Sequence, residues 1–535
     1  MISYCKYLIV LLLIVVSCNT NNKDREGVLT INVGTEPKTL DPTLNAALDG
    51  GIYIGHIFEG LLNKKQDGSL VPGVAERWDI SDDRTVYTFH LRTNAMWSDG
   101  KVVTANDFVY AWRRVVDPKV ASEYNYQMEI LKNAKEITEG KLPLDALGVK
   151  AIDDFTLEVT LVSPTPYFEQ LAAFQTYFPV REDIVEANPD GWSLDPKTYI
   201  GNGAFKVTER KIDSRIVLER NEYYWNSSDI KPNKLIFILT DSYSTILAGI
   251  KDGSIHYSSL VPVKEFNSLK EEGYIVVKPY LGLYYYNLNL EKTDVLKDVR
   301  IRKALSLAID RNYIVETVTK AGEVPAAAVV PNGVLESSGK DFREYRKNYF
   351  SVEKEDYEKN VEEAKKLLAE AGYPNGEGFP ILNFRTDPGE HIDIFEAIQY
   401  MWNNQLGINT TIMTEEWAVF QTSRNNGEFD IARNRWIADY DDPVTFLGVF
   451  LSRSAFNNSR YKSSTYDNLL DQASKTDNQQ QRMQILHKAE DTLMEDLPII
   501  PIYYYTSVQL QNPKLKGIEY STLGTLNFSK AYLEE

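Results

Sequence analysis

The sequence predicts an α/β protein in which strands and helices alternate along the chain and form two or three domains. The chain has 535 residues, more than a single hydrophobic core usually holds, so several domains are expected. Its hydrophobic fraction of 43% and its charged fraction of 25% are typical of a globular protein. Hydrophobic residues recur with the two-residue period of strands in some segments and with the helical period in others, which predicts the α/β class.

The N-terminal half begins with a predicted strand in VLTINV, which ends at Gly34. The segments YTFHLR and FTLEVTL alternate apolar with polar residues, as half-buried strands do. Between them, Thr104 and Asp107 have the spacing of a capping box and predict a helix that continues through Arg114.

The C-terminal half contains three predicted helical regions. DVRIRKALSLAIDRNYIVETVTKAG predicts two successive helices, the second beginning at Asp310 and ending at Gly322. YEKNVEEAKKLLAEAG predicts an amphipathic helix, and QRMQILHKAEDTLMED predicts a helix that precedes the proline-bounded strand IIPIYYYTSVQL. We find no internal repeat and no long low-complexity linker, so we expect several short crossings between domains.

The N-terminus predicts export and lipid anchoring. MISYCKYLIVLLLIVVSC has an apolar run that is too short to span a bilayer and has the proportions of a signal peptide. Its last residues resemble the bacterial lipobox, in which Cys18 receives the lipid, and the polar NTNNKDREG reads as a tether. We expect a signal peptide at 1–17, a lipidated tether at 18–27 and a lipoprotein of the cell membrane, on its periplasmic or extracellular face. An ordinary secretory signal and a buried core helix are the alternatives.

Charge and cysteine content exclude several kinds of partner. The formal net charge is −18, which disfavours nucleic acid because its phosphates repel such a surface. Cys5 and Cys18 are the two cysteines, so the processed chain is expected to contain neither a free thiol nor a disulfide. The five histidines are scattered, and no metal or cofactor is expected.

Enzyme signatures are not found. The sequence has no G-x-x-x-x-G-K-[ST], no H-E-x-x-H and no G-x-S-x-G. The GNGAF segment lacks dinucleotide-binding spacing and predicts a tight turn. We therefore expect a protein that is not an enzyme.

The order of the segments identifies a family. IFEGLL, VPGVAERWDISDDRTVYTFHLRTNAMWSDGKVVTANDFVYAWRRVVDP, GVKAIDDFTLEVTL, GNGAF, VLERNEYYWN, DVRIRKALSLAIDR, AKKLLAEAGYP and ADYDDPVTFL occur here in the order found in the extracytoplasmic oligopeptide-binding proteins of ABC importers. The chain resembles that family over nearly its whole length after the tether. The resemblance implies a periplasmic-binding-protein-like clamshell of two lobes with an additional inserted domain.

The same resemblance implies domain boundaries. Residues 28–59, 183–283 and 507–535 are expected to form lobe I, residues 60–182 the inserted domain II, and residues 284–506 the opposing lobe III. Short crossings between the lobes suit a hinge that closes around a ligand.

The resemblance also assigns the peptide's charged ends. The aspartate of ADY, here Asp439, is expected to pair with the peptide ammonium. Removing its carboxylate is expected to weaken the free energy of peptide binding by about 3–5 kcal/mol. The carboxylate partners correspond to Arg433 and His391, and a family lysine falls at Lys320, with Thr319 in register. Arg433, His391 and Lys320 are expected to act as cations at different depths of the cleft, so that peptides of several lengths are held by both ends.

Main-chain contacts and pocket walls complete the predicted site. The peptide backbone is expected to add as a strand beside Arg435 and Ile437, with Leu48 on its other side. Arg435 stands where the family has a small residue, so it narrows the pocket, adds a carboxylate partner or points outward. The aromatic candidates for the pocket wall are Trp417, Trp436, Tyr285 and Tyr504. For each of them, packing in the core is the alternative to contact with the ligand. The acids after ADY, at 441 and 442, were expected to form a solvated, proline-terminated turn.

The predicted function is therefore a lipid-anchored, monomeric receptor that captures short peptides and delivers them to the permease subunits of an ABC transporter. One alternative is another ligand of the same family: a dipeptide, a cell-wall peptide, nickel or haem. A second is a surface adhesin or signalling lipoprotein, and an enzyme of unrecognised type is the third.

Overall fold

A computed structural model describes residues 27–535 except 35, 66–68, 337–338, 346–347 and 477. The predicted signal peptide, the lipidation site Cys18 and the predicted tether up to residue 26 lie outside the described residues.

The strands are given first, because they form the frame of the molecule. In chain order they are β1 (Val28–Asn32), β2 (Leu62–Lys64), β3 (Leu70–Pro72), β4 (Ala75–Ile80), β5 (Val86–Leu91), β6 (Val149–Asp153), β7 (Thr156–Thr160), β8 (Phe205–Lys211), β9 (Arg215–Arg220), β10 (Lys234–Ile238), β11 (Tyr257–Ser258), β12 (Ile275–Leu288), β13 (Val324–Pro325), β14 (Leu382–Thr386), β15 (Thr410–Thr414), β16 (Ile431–Ile437), β17 (Ile499–Gln511), β18 (Leu515–Lys516), β19 (Glu519–Tyr520), β20 (Leu526–Asn527) and β21 (Tyr532–Leu533).

The helices alternate with these strands. They are α1 (Leu48–Ile57), α2 (Ala105–Val116), α3 (Ala134–Thr138), α4 (Phe168–Ala172), α5 (Glu182–Ala187), α6 (Tyr243–Asp252), α7 (Phe266–Glu271), α8 (Val299–Leu307), α9 (Arg311–Tyr313), α10 (Tyr357–Glu370), α11 (Glu390–Leu406), α12 (Trp417–Asn426), α13 (Val444–Leu447), α14 (Ser464–Ser474) and α15 (Gln479–Asp496). Short 3-10 turns, among them Asn125–Ile130, lie between them.

One mixed sheet of 11 strands runs through the described part of the molecule, in the order β15-β14-β16-β12-β17-β11-β1-β10-β9-β8 with β13 beside β17. Parallel pairs at β1 and β14 combine with antiparallel pairs around β12 and β17. A separate antiparallel sheet, β4-β5-β7-β6, lies within the stretch predicted as the inserted domain. The α/β class is confirmed.

Two long strands at the centre of the sheet connect its two halves. β12 pairs with β17 along most of its length, and it also pairs with β16 over Gly282–Leu288. β17 reaches the other half by pairing with β11. The predicted lobe boundaries at 283/284 and 506/507 fall inside these strands, and the boundaries themselves stay a prediction.

Separate cores give the molecule its two lobes. Apolar side chains of β1, β8 to β10, α1, α2 and β4 to β7 share one core, which joins the four-stranded sheet to the first half of the main sheet. In the other half, α8 and α11 cover one face of the sheet, and α14 and α15 cover the opposite face. Helices therefore cover both faces of that half of the sheet except at the end of β16, where Arg435 is exposed, and the predicted two-lobed clamshell is confirmed.

Local sequence signals agree with the observed elements. The capping box of Thr104 and Asp107 is formed at the start of α2. Asp310 caps α9 by accepting a hydrogen bond from the amide of Tyr313. The predicted helix after Asp310 continues as a π-helical segment, Ile314–Thr319, which the sequence did not indicate.

Candidate functional site

A cavity of about 400 Å³ lies between the two lobes, a size suited to a small ligand. Its wall is contributed by the start of α1, by residues of the stretch predicted as domain II, by the C-terminal β-hairpin and by the end of β16. These lining residues include Ala46, Leu48, Lys64, Lys65, Tyr124, Phe174, Phe178, Tyr280, Ile437, Asp439, Tyr440, Tyr520 and Leu526. Three predicted site residues, Leu48, Ile437 and Asp439, are thus brought together.

Asp439 is a partly buried carboxylate directly after β16. Its amide donates to the Thr445 hydroxyl at 3.2 Å, which fixes the loop, and Tyr126 hydrogen-bonds to its carboxylate. Burial raises the pKa of the Asp439 carboxyl to about 6, and the Tyr126 hydrogen bond opposes part of that rise. Within the described residues Asp439 forms no ion pair, so this anion lacks a cation inside a concave site.

The strand that leads to Asp439 carries a charged face. Successive side chains of a strand point to opposite faces, so Arg433, Arg435 and Ile437 share one face of β16. Their cross-strand partners on β12 are Tyr286, Tyr284 and Gly282 respectively. At ~3.3 Å per residue, Arg433 and Asp439 lie roughly 20 Å apart along the strand direction.

The glycine of that series is required by its neighbours. A Cβ atom at Gly282 would lie 2.5 Å from Cδ1 of Ile437 and 2.9 Å from the Tyr505 ring. A larger residue would therefore displace Ile437, which lines the cavity.

One edge of β16 is open in the described part of the sheet. β14 pairs with β16 only at Phe384–Ile431 and Arg385–Ala432. From position 433 onward, β16 has a neighbouring strand on the β12 side alone. An open strand edge can accept the main chain of an extended peptide.

Arg433 is almost fully buried and already has a counter-ion. Its Nε and Nη2 atoms donate to the two carboxylate oxygens of Asp387 at 2.5 and 2.6 Å, and its guanidinium lies 5.0 Å from the centre of the Trp417 ring. The remaining nitrogen, Nη1, is buried and makes no hydrogen bond to any part of the chain that the structure describes. Arg433 therefore offers a second carboxylate one free donor group.

His391 is neutral in this environment. Its Nδ1 lies 3.2 Å from the Tyr284 hydroxyl, and its Nε2 is 4.0 Å from the Asp387 carboxylate. Burial, followed by repulsion from Arg433, lowers the pKa of His391 to about 4. At neutral pH His391 therefore offers a neutral ring in the ligand-free protein, and its role as a partner of the peptide carboxylate stays a prediction.

Lys320 is exposed and adopts a left-handed backbone conformation with φ of 56°. It does not line the cavity. Its neighbour Thr319 is buried and donates its hydroxyl to Glu323 at 2.8 Å. The structure therefore does not bring either residue to the cavity.

Two of the four predicted wall aromatics belong to the core. Tyr285 is fully buried, and Tyr504 donates its hydroxyl to the Ala328 carbonyl at 3.1 Å. Placing them in the pocket was wrong, because both faces of this half of the sheet are covered by helices. Trp417 is 39% exposed and stacks near Arg433, whereas Trp436 is partly buried against Phe456.

The cavity aromatics that sequence reasoning missed come mainly from predicted lobe I and from the stretch predicted as domain II. They are Tyr124, Phe174, Phe178, Tyr280, Tyr440 and Tyr520. Tyr126 and Asp387 were also missed. Tyr440 belongs to the ADY segment that indicated Asp439, whereas the others are brought to the site by the fold.

The acids after Asp439 do not form a solvated turn. Asp441 is buried and accepts from Lys64 at 2.9 Å, and Asp442 accepts from both terminal nitrogens of Arg482 at 2.6 and 2.7 Å. The earlier prediction is wrong because the loop lies between two lobes. In the same loop, Tyr440 stacks on Tyr167 with ring centres 4.4 Å apart.

The described residues offer neither a metal centre nor a membrane-spanning helix. In that part of the chain, no group of three or more His, Cys, Asp or Glu side chains is arranged to hold a metal ion. None of the helices seen there has the length and apolar character needed to cross a bilayer.

Comparison with known proteins gives a consistent picture. The family described as bacterial extracellular solute-binding proteins, family 5 Middle, matches residues 69–458. The oligopeptide-binding protein OppA of Bacillus subtilis is 35% identical over 96% of this chain and 94% of its own length. The periplasmic oligopeptide-binding protein OppA of Salmonella typhimurium is 38% identical over 91% of this chain and 89% of its own.

A solved structure supports the same assignment. The unliganded open form of the periplasmic murein tripeptide binding protein MppA superimposes with a TM-score of 0.84 at 34% identity, covering 95% of this chain and 97% of that one. These relatives are binding proteins, not enzymes. The chain belongs to the bacterial extracellular solute-binding proteins of family 5, as its sequence predicted.

Proposed function

We propose that this protein captures short peptides outside the cytoplasm and delivers them to the permease subunits of an ABC transporter. One observation carries the proposal: within the described residues Asp439 is a carboxylate without an ion pair, it lines the cavity, and it lies beyond one end of a strand face whose other end carries Arg433. His391, on α11, lies near Arg433, since both approach the Asp387 carboxylate. A zwitterionic peptide loses hydration at both ends in such a cleft and needs a partner for each charge. Asp439 receives the ammonium, and Arg433, with His391 and Lys320 for longer peptides, receives the carboxylate.

The peptide backbone adds to the open edge of β16. Within the described sheet, the main chain from Arg433 to Ile437 has no neighbouring strand on that edge, where the Arg435 amide donates to the Asn434 side chain at 2.9 Å. Leu48, which is 45% exposed, faces the same cavity. Backbone pairing supplies affinity without reading side chains. Trp417 and Trp436 are the predicted aromatics that remain as wall candidates. The names of the Bacillus and Salmonella relatives support an oligopeptide as the ligand class.

The binding proposal is tested by native mass spectrometry of the freshly purified protein. We expect co-purified masses in the range of short peptides, which are lost from an Asp439→Asn variant prepared in parallel. An Asp393→Asn variant, on the exposed side of α11, is the matched control and is expected to retain them. A wild-type protein that carries no such mass, and gains no thermal stability from a mixed peptide pool, would contradict the proposal.

We also propose that the lobes close around the ligand by bending at β12 and β17. The lobes keep the predicted boundaries, with residues 28–59, 183–283 and 507–535 facing residues 284–506. The resemblance to an unliganded open form supports this reading. Small-angle scattering should show a smaller radius of gyration when a binding peptide is added, and an unchanged radius at saturation would refute closure.

The membrane attachment that we propose depends on Cys18. Acylation there would anchor a monomeric receptor beside its permease, provided that more than one chain is added. Labelling of the producing cells with radioactive palmitate should mark the wild-type protein and not a Cys18→Ala variant. Equal labelling of both would rule out this site.

A further inference from the structure

Arg435 differs from the other cations near the cleft because it has no partner. Arg433 is held by Asp387, and Arg424 donates to the Asn434 side chain at 2.9 Å. The guanidinium of Arg435 is exposed, and within the described residues it makes no hydrogen bond and no ion pair. The side chain nevertheless shares the cleft-facing side of β16 with Ile437, which lines the cavity.

The surroundings of Arg435 are electropositive. Arg433 and Arg435 each contribute to lowering the pKa of His391 and of the Arg424 guanidinium, after the larger effect of burial. Among the described residues, Asp387 is the one carboxylate that forms an ion pair with any of these three arginines, and its partner is Arg433. An added anion would therefore be stabilised at this place.

One further acid lies close by. Glu390, at the start of α11, interacts electrostatically with Arg433 and Arg435, but no ion pair links it to either within the described residues. Burial and repulsion from Glu323 raise the pKa of its carboxyl. Glu390 therefore does not occupy the Arg435 guanidinium, which remains free to bind a ligand. Glu390 is also the residue that would attract a basic side chain of a peptide.

The position along the strand selects which part of a peptide reaches Arg435. It lies four residues from Asp439, which corresponds to ~13 Å at the rise of an extended strand. With its ammonium at Asp439, an extended peptide places its third and fourth residues ~7 and ~10 Å along the strand, where the long Arg435 side chain can reach back to them. We propose that Arg435 binds a peptide carboxylate there, so that the receptor favours an acidic side chain at position three or four, a conclusion that rests on the proposed peptide-binding function.

Two peptide carboxylates have this chemistry: the side chain of an acidic residue and the C-terminal carboxylate of a tripeptide. They are distinguished by calorimetry at pH 7 with two sets of ligands. The first set is alanine pentapeptides with glutamate or glutamine at position three or four. The second set is trialanine as the free acid and as the amide.

In wild-type protein, the glutamate pentapeptide should bind about tenfold more tightly than its glutamine twin at one of the two positions, a size intermediate between exposed and buried charged pairs. In Arg435→Gln that ratio should fall to about one. Arg453→Gln, which removes an exposed arginine paired with Asp471, should keep the ratio. If Arg435 reads the terminal carboxylate instead, its loss reduces the acid-to-amide ratio of trialanine and leaves the pentapeptide ratio near one.

The other outcomes overturn the inference. Ratios that are the same in wild type and in Arg435→Gln for both sets would remove any role for Arg435 in carboxylate binding. Tighter binding of a lysine pentapeptide than of the alanine one would assign the subsite to Glu390 and a basic side chain. If pentaalanine itself binds and depends on Asp439, such results refute the inference alone, whereas a protein that binds none of these peptides refutes the proposed function as well.

Discussion

Lowering the pH from 7 to 5 should weaken peptide binding about tenfold, because Asp439, the proposed partner of the peptide ammonium, becomes protonated in this range. The pKa of Asp439 in the ligand-free protein is about 6, raised by burial. Its carboxyl is then about nine-tenths ionised at pH 7 and about one-tenth ionised at pH 5. Since the ammonium binds the ionised form, the apparent free energy of binding falls by about 1.4 kcal/mol over this range.

The assay is calorimetry with a peptide whose side chains do not titrate, such as tetraalanine, at half-unit steps of pH. The peptide's own ends change little between pH 5 and pH 7. A carboxyl with the ordinary pKa would produce almost no change over this interval. Affinity that is flat from pH 7 to pH 5 would therefore refute the assignment of Asp439.

The Asp439→Asn variant separates binding from folding. The folded-state pKa lies above the ordinary value, so Asp439 favours folding at low pH, and this contribution is lost as the pH rises through about 6. An uncharged asparagine avoids that loss, and the ligand-free variant should be more stable than wild type at pH 7 by up to ~3 kcal/mol. We expect a variant that unfolds at higher denaturant concentration and binds peptide weakly and without pH dependence. A variant less stable than wild type at pH 7 would contradict the burial argument.

Three further measurements test other contacts. N-acetylated peptides should bind wild-type protein at least ~100-fold more weakly than free peptides, and calorimetry on Asp439→Asn should show little difference between the two. Arg433→Gln should reduce about tenfold the ratio of the affinities for a peptide with a free C-terminal carboxylate and for its C-terminal amide. The reason is that Asp387 then loses its cation and repels the peptide carboxylate. An unchanged ratio would place the peptide C-terminus elsewhere. Arg482→Met should lower the free energy of unfolding in urea by about 3–5 kcal/mol, since Asp442 is left buried without a cation, and a loss below ~1 kcal/mol would show that water reaches Asp442.

The elements were predictable from local signals where one physical cause dominates. The capping box at Thr104 and the helix cap at Asp310 act over three residues, so the sequence indicates them directly. Alternating apolar residues likewise indicated β5 and β7. The crossings at β12 and β17 were not predictable in this way, because a strand that passes from one lobe to the other has no local signal at the boundary.

The candidate site was predictable only in part. The resemblance pointed to Asp439 and Ile437, which do line the cavity with Leu48. It could not indicate that Arg433 is paired with Asp387 or that Asp441 is buried against Lys64, because these partners are 46 and 377 residues apart in the chain. Charge state also depends on such distant neighbours.

The loop that carries Asp439 is attached to both halves of the protein. Tyr440 and Asp441 contact Tyr167 and Lys64 on one side, and Asp442 contacts Arg482 on the other. If the lobes close as we propose, a loop held from both sides would change little around the carboxylate that binds the amino end. Peptides of different length would then differ mainly in where their carboxyl ends lie along β16.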